Sequence, residues 1–243
     1  MTERLILLPG WGLGSLPLDV LAEALRGLDP ALRVEIEPLP ELRRGEPRDW
    51  LLELDERLPP HTWLGGWSLG GMLASELAAL RGERCRGLLT LASNPCFVAA
   101  EDWPCGMPED TFAAFVAGCA EHPAATLKRF CLLCSQGALE ARTLARQLQS
   151  GAPQLSHEVL LAGLEVLGSF DARSALQRFA GAQLHLLGVA DALVPAELAG
   201  ALRILQPNSQ VGLIDGASHA FPLEYPHEVA AAMQAFMREA ADD

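Results

Sequence analysis

Apolar residues along the chain fall into short runs that alternate with stretches of helical period. Leu5-Ile6-Leu7-Leu8 is an apolar run of strand length, and Pro9-Gly10-Trp11-Gly12-Leu13-Gly14 after it reads as a loop by its glycines. Leu18, Leu21 and Leu25 recur at helical spacing and predict a helix over 17–26, with Leu28 just beyond. A strand is expected over 31–36, stopped by Pro38 and Pro40, and a helix over 47–58 with Pro47 in its first turn. A strand at 62–65, a helix at 69–80 and a strand at 87–92 follow. These strands are apolar throughout instead of alternating, the mark of strands buried on both faces. Strands alternating with helices in this way predict an α/β architecture, a mostly parallel central sheet with helices on both faces.

The pattern changes after Ala92. From 110 to 177 the period is helical, with no good strand. Leu184-His185-Leu186-Leu187 resumes the sheet, followed by a helix at 195–205, a strand at 211–214 and a closing helix at 226–240. The expected organisation is a sheet core over 1–109, a helical lid over 110–177 and the rest of the core over 178–243.

Composition narrows the function. Half of the 243 residues are hydrophobic, enough for a sizeable core, and the net charge is −13. Such a surface repels phosphate backbones, so neither nucleic acid nor a stable membrane association is expected. No apolar run approaches the roughly 20 residues of a membrane span, and the run after Met1-Thr2-Glu3-Arg4 is too short for a signal core. Cys85, Cys96, Cys105, Cys119, Cys131 and Cys134 are scattered through a chain that needs no disulfide frame. They are expected to be reduced thiols of a cytoplasmic, monomeric protein. Cys131 and Cys134 share one helical face as two buried thiols, and no second pair exists to complete a zinc site.

The candidate chemistry begins at Gly66-Trp67-Ser68-Leu69-Gly70-Gly71, between an expected strand and an expected helix. Gly-x-Ser-x-Gly in that setting predicts a nucleophile elbow: a sharp turn lifts the Ser68 hydroxyl clear of the sheet and aims the Leu69 N–H at a developing oxyanion. The competing reading is a glycine-rich turn with Ser68 as a helix cap. A serine needs a base, and the base needs an orienting acid. His219 lies in a loop after the last strand, where the fold order Ser…Asp…His places the base, whereas His61, His122, His157, His185 and His227 lie in or beside strands and helices. Asp191 follows the preceding strand and is the favoured acid, with Asp215 as its rival. The Trp11 backbone N–H, on the loop after the first strand, is the second oxyanion candidate, and its indole is placed to wall the acyl pocket. No metal or organic cofactor is required.

Gly10-Trp11-Gly12-Leu13, Trp63 through Gly71, Ser93-Asn94-Pro95-Cys96-Phe97, Trp103-Pro104, Arg129-Phe130, Asp191 through Pro195 and Ser218-His219-Ala220 together resemble the pimeloyl-[acyl-carrier protein] methyl ester esterases of biotin synthesis, members of the α/β-hydrolase fold. The resemblance covers nearly the whole chain. It implies hydrolysis of the methyl ester of a pimeloyl group carried on acyl carrier protein. It also implies that Trp11, Ser68, Leu69 and His219 contact the acyl chain and ester, and that Phe130, Cys131, Leu132, Leu133 and Cys134 line a channel under the lid. Arg129, Arg142 and Arg146 would hold the carrier. Three departures stand out. Pro9 replaces the usual histidine of the oxyanion loop, and the opening hairpin is not visible before the first strand. Cys134 and Ala125 stand where a glutamine and a basic residue are usual.

Charge supports the carrier reading separately. From His122 to Ser150 the basic residues are Lys128, Arg129, Arg142 and Arg146, against Glu140 as the lone acid. Arg142 and Arg146 are four apart and share a helix face that can steer an acidic partner. Ordinary solvated arginines are the plainer account. Other functions remain open on sequence: a broad short-chain carboxylesterase or acyl thioesterase on the same residues, a non-catalytic receptor, and nucleotide binding at Gly10-x-Gly12-x-Gly14, whose third glycine is misplaced for that purpose.

Overall fold

The computed structural model describes residues 3–44 and 46–242. The apolar runs become β1 (Arg4–Leu8), β2 (Arg33–Ile36), β3 (Thr62–Trp67), β4 (Cys85–Leu91), β5 (Ala182–Gly188) and β6 (Gln210–Ile214). They pair into one sheet in the order β2-β1-β3-β4-β5-β6, with every pair parallel. β3 runs past the apolar stretch to Trp67, because Gly66 pairs with Leu8 on one side and Thr90 on the other. β1, β3 and β4 are almost wholly buried, which is why their sequences do not alternate.

The helices follow from handedness. β1 steps to β2 in one direction across the sheet, whereas β3 steps to β4 in the other. Right-handed crossovers therefore put α1 (Leu16–Leu28) on one face and α3 (Leu69–Arg81) on the opposite face. The packing agrees. The closing helix α11 (Pro226–Asp242) lies on α1, and α2 (Pro47–Arg57) lies on α3. β1 and β3 are thus neighbours whose chains leave for opposite faces. Such a switch point opens a crevice at the strands' carboxyl ends. Gly10 and Ser68 stand there.

Between β4 and β5 the expected helical stretch resolves into α4 (Glu109–Glu121), α5 (Pro123–Ser135), α6 (Ala141–Gly151), α7 (His157–Ser169) and α8 (Arg173–Arg178). α5 packs on α4 and α6, and α4 on α7, while α8 lies against α3. After β5 come α9 (Leu198–Leu205), which starts three residues later than the apolar pattern suggests, and then β6 and a one-turn helix, α10 (Phe221–Glu224). All six cysteines are free, and Cys131 and Cys134 are buried on one side of α5. Burial pushes the Cys131 thiol up to about 11 and Cys134 well above the ordinary thiol range, so both are inert and protonated. Among the described residues no helix is long and apolar enough to cross a membrane.

His185 of β5 is a structural histidine. It faces Thr90 across the β4–β5 ladder, 2.7 Å from Nδ1 to Oγ1, and is 1% exposed. Burial lowers its pKa from 6.5 to about 4. Below pH 6.5 the unfolded chain takes up a proton that the folded chain refuses, so stability is full above that pH and falls as the pH drops toward 4. The loss attributable to His185 is about 3 kcal/mol. Urea unfolding at pH 7 and at pH 4 should show a steeper loss for the wild type than for His185→Gln; equal losses in the two proteins would remove His185 as the cause.

Candidate active site

The elbow is built from glycines that admit no side chain. Ser68 sits between β3 and α3 with φ 55° and ψ −121°, a strained combination for a residue bearing a Cβ. A Cβ on Gly66 would lie 2.2 Å from the Gly70 carbonyl, and one on Gly70 would lie 2.1 Å from the Leu8 carbonyl oxygen. The strain is held by bonds on both sides of the turn. Ser68 N–H donates to Leu91 C=O at 2.9 Å, and Ser68 C=O accepts from Gly71 N–H at 2.9 Å and from Ser93 Oγ–H at 2.8 Å. The Ser68 hydroxyl makes no capping bond to α3. The helix-cap reading therefore fails, and the hydroxyl is left free for chemistry.

The imidazole of His219 is fixed behind this turn. Its Nδ1–H donates to Asp191 Oδ2 at 2.8 Å, and both side chains are fully buried. The other carboxylate oxygen, Oδ1, accepts from Leu193 N–H (2.8 Å) and Val194 N–H (3.0 Å), which locks the acid in a turn before α9. Asp215, the rival acid, is exposed on its loop. Trp67 Nε1–H donates to His219 C=O at 2.8 Å, and the Trp67 and His219 rings lie 5.6 Å apart, which sets the imidazole beside the residue preceding Ser68. His219 Nε2 is buried and has no hydrogen-bond partner among the described residues. A neutral imidazole bonded to carboxylate through Nδ1–H carries its lone pair on Nε2, the atom that a general base uses. His61, His122, His157 and His227 are exposed elsewhere, and His185 lies within the sheet with Nδ1 bonded to Thr90, its own Nε2 also buried without a partner among the described residues.

Two backbone N–H groups border the turn. Leu69 opens α3, so its N–H has no acceptor within the helix. The Gly10–Trp11 loop passes close by: a Cβ on Gly10 would lie 3.4 Å from Ser68 Cβ. The Trp11 indole is anchored by Nε1–H to Leu160 C=O at 2.9 Å and packs edge-on against Phe130 with ring centres 5.0 Å apart.

Residues 5–232 match the profile of the alpha/beta hydrolase family. The pimeloyl-[acyl-carrier protein] methyl ester esterase of Serratia marcescens is 34% identical over 242 residues, covering 96% of this chain and 93% of that protein. This chain belongs to the alpha/beta hydrolases, among the pimeloyl-[acyl-carrier protein] methyl ester esterases. A second such esterase, from Klebsiella pneumoniae, is 37% identical over 92% of this chain and 89% of that protein. The biotin biosynthesis bifunctional protein BioHC of Cellvibrio japonicus is 35% identical, and the chain spans only 47% of its length. Among solved structures, the fold is shared with a bromoperoxidase from Bacillus anthracis (TM-score 0.83, 21% identity, 98% of this chain and 92% of that one) and with an esterase from Exiguobacterium antarcticum (0.84, 17%, 97% and 92%).

In this hydrolase the expected channel residues divide by helical geometry. Phe130, Cys131 and Cys134 are buried, and Leu133 lines a small apolar recess of about 20 Å³ with Phe97, Phe115 and Phe130. Leu132 is 53% exposed and is no channel residue, because on α5 it lies about half a turn round from Phe130 and Cys134. A separate cavity of about 330 Å³ is lined by Gly10, Trp11, Trp50, Leu155 and Val159, among others. Arg129, Arg142 and Arg146 are exposed on α5 and α6 and form no ion pair with described residues. Gly12 and Gly14 do not cradle phosphate. Gly14 packs under Pro153, and Ser15 Oγ–H at the start of α1 donates to Asp19, whose negative charge opposes an anion there.

The family-like stretch after β4 acquires a physical meaning only in three dimensions. Trp103 Nε1–H donates to Asn94 Oδ1 at 2.9 Å and Asn94 Nδ2–H to Cys105 C=O at 2.9 Å. The Arg173 guanidinium lies 5.4 Å over the Trp103 ring and pairs with Asp102 and Asp171. These contacts tie the exit of β4 to the chain on both sides of α4–α7.

Proposed function

We propose that this hydrolase is a serine carboxylesterase of biotin synthesis, which cleaves the methyl ester of a pimeloyl group carried on acyl carrier protein and releases methanol and the free carboxylate. The observation that carries the chemistry is the buried Asp191–His219 bond, which leaves Nε2 unengaged on a histidine whose backbone carbonyl is held by Trp67, the residue before a strained Ser68 whose hydroxyl caps no helix. The substrate class rests on the esterases to which the chain is similar.

The reaction runs in two steps. Nε2 of His219 takes the Ser68 proton as Oγ attacks the ester carbonyl. Asp191 holds the tautomer and stabilises the imidazolium. The N–H groups of Trp11 and Leu69 stabilise the oxyanion, each worth on the order of 3 kcal/mol of barrier. The imidazolium protonates the departing methoxide, giving methanol and an acyl-Ser68 ester. Water then gives a proton to His219 and its hydroxide to the acyl carbon, and Ser68 leaves with the returned proton. The hydrogen bond between Ser68 and His219 forms as the ester binds, since such contacts tighten in the Michaelis complex.

The helices α4–α7 act as a lid. Phe130, Leu133 and the Trp11 indole wall the acyl chain, and Cys131 and Cys134 back that wall. Arg129, Arg142 and Arg146 meet the acidic carrier, for which charge steering fits a basic face on a protein of net charge −13. The place of action is the cytoplasm, in keeping with six free thiols.

Incubation with methyl-pimeloyl carrier protein, read by the mass of the acyl group, should show loss of the methyl. Turnover of a free methyl ester and of an acyl thioester in the same assay separates this substrate from a general esterase or a thioesterase. Arg142→Glu with Arg146→Glu is expected to raise KM for the carrier-linked ester by about tenfold and to leave the free methyl ester within about twofold. An unchanged KM for the carrier ester would remove the carrier from this face.

A further inference from the structure

We infer that Glu224 and Ser218 form a positioning pair for His219. The inference rests on the reading of His219 as the base. The backbone of the loop between β6 and α10 is tied by Ala190 N–H to Ala217 C=O at 2.9 Å and by Phe221 N–H to Ser218 C=O at 3.2 Å. The loop has no secondary structure of its own until Phe221, yet the imidazole must return to one place through two proton transfers. Asp191 orients the ring but does not hold the backbone that carries it.

One carboxylate oxygen does. Glu224 Oε2 accepts from Ser218 N–H at 3.0 Å and from Ser218 Oγ–H at 2.8 Å. Ser218 Oγ in turn accepts from Ala220 N–H at 3.3 Å. A single acid at the end of α10 therefore grips the residue before His219 directly and the residue after it through the hydroxyl. Ser218 and His219 are both 0% exposed, so these donors have no water to turn to. Glu224 forms no ion pair with the described residues, so its charge is spent on this loop alone. Two other elements also reach this stretch: Trp67 Nε1–H donates to His219 C=O, and the Ala220 N–H is shared between Ser218 Oγ and Cys134 C=O, the latter at 3.1 Å. Asp191 thus sets the ring from the β5 side, and Glu224 sets its backbone from the α10 side.

The consequence is kinetic. A shift of the imidazole by about 1 Å costs about 100-fold in rate without weakening substrate binding. Glu224→Ala should therefore lower kcat on a small methyl ester about 10- to 100-fold while KM stays within about twofold. Glu224→Gln keeps an oxygen acceptor at the same place and should restore kcat to within about threefold of wild type. Ser218→Ala keeps the N–H bond and loses the hydroxyl relay, so its kcat should fall between the two. These values are to be measured with His219→Ala run on the same ester. If His219→Ala keeps its activity, the reading of the base fails. If His219→Ala is inactive while Glu224→Ala and Ser218→Ala keep wild-type kcat, or lower kcat and raise KM together with no rescue by glutamine, the pair is only structural and the inference is overturned. Should Glu224→Ala fail to fold, Glu224→Gln and Ser218→Ala decide the matter by the same split.

Discussion

Ser68→Ala should reduce ester turnover by about 10⁴- to 10⁶-fold while the protein stays folded. The size follows from what the hydroxyl does and does not do. Ser68 Oγ caps no helix, so its removal leaves no buried partner unpaired, and alanine meets the same strain at φ 55° that serine already bears. Thermal unfolding is therefore expected to be nearly unchanged. The loss falls on chemistry, because in the proposed mechanism Ser68 Oγ is the atom that forms the acyl intermediate. A residual rate of about 10³ over water should survive from the proposed oxyanion donors and binding. Mass measurement on methyl-pimeloyl carrier protein, together with the thermal midpoint, checks both halves. A folded Ser68→Ala protein that keeps a tenth of wild-type turnover would mean that the nucleophile lies elsewhere.

Gly70→Ala should be among the most damaging single methyls at the described glycines. The added Cβ would lie 2.1 Å from the Leu8 carbonyl oxygen and 2.5 Å from the Pro9 carbonyl oxygen. Both obstacles are backbone, so no rotamer change can relieve them. Relief requires α3 to withdraw from the exit of β1, which pulls Ser68 and Leu69 away from the Gly10–Trp11 loop. The expected cost exceeds about 4 kcal/mol, in the range reserved for strain and core disruption. Activity should be lost even where the chain remains folded, since the two N–H groups proposed as oxyanion donors part company. Gly200→Ala is the matched control. It lies exposed in α9 with nothing within 4 Å of the added carbon, and should stabilise by about 0.5–1 kcal/mol. Chemical denaturation and ester turnover on the two variants test the contrast; a Gly70→Ala protein close to wild type in both would contradict the close approach at the elbow.

The sequence carried the parts of this architecture that depend on neighbours along the chain. Unbroken apolar runs such as Leu5 through Leu8 announce strands with both faces covered, and Gly66-x-Ser68-x-Gly70 announces a turn too tight for side chains. Boundaries were less legible: Gly66 looks like loop until its two ladder partners are known, and α9 starts late because 189–197 is committed to holding Asp191 and its turn. Leu132 shows the same limit within a helix. Apolar identity could not tell it from Leu133, but its angular position on α5 did. Glu224 gave no signal at all, and Ser218 stood out only as the neighbour of His219 in a family-like stretch, since neither residue's bonds can be read from the sequence.

By itself, then, the sequence indicated the strands, the elbow and the chain order of a candidate serine, acid and histidine, because each of these is a short-range pattern of volume, polarity and glycine. Only the tertiary structure decided between Asp191 and Asp215, freed Nε2 of His219, and brought Glu224 behind it. Those outcomes turn on which loops meet at the carboxyl ends of β1, β3, β5 and β6. That meeting is set by strand order and crossover hand, so a few ångströms between distant segments settle what no local spacing contains.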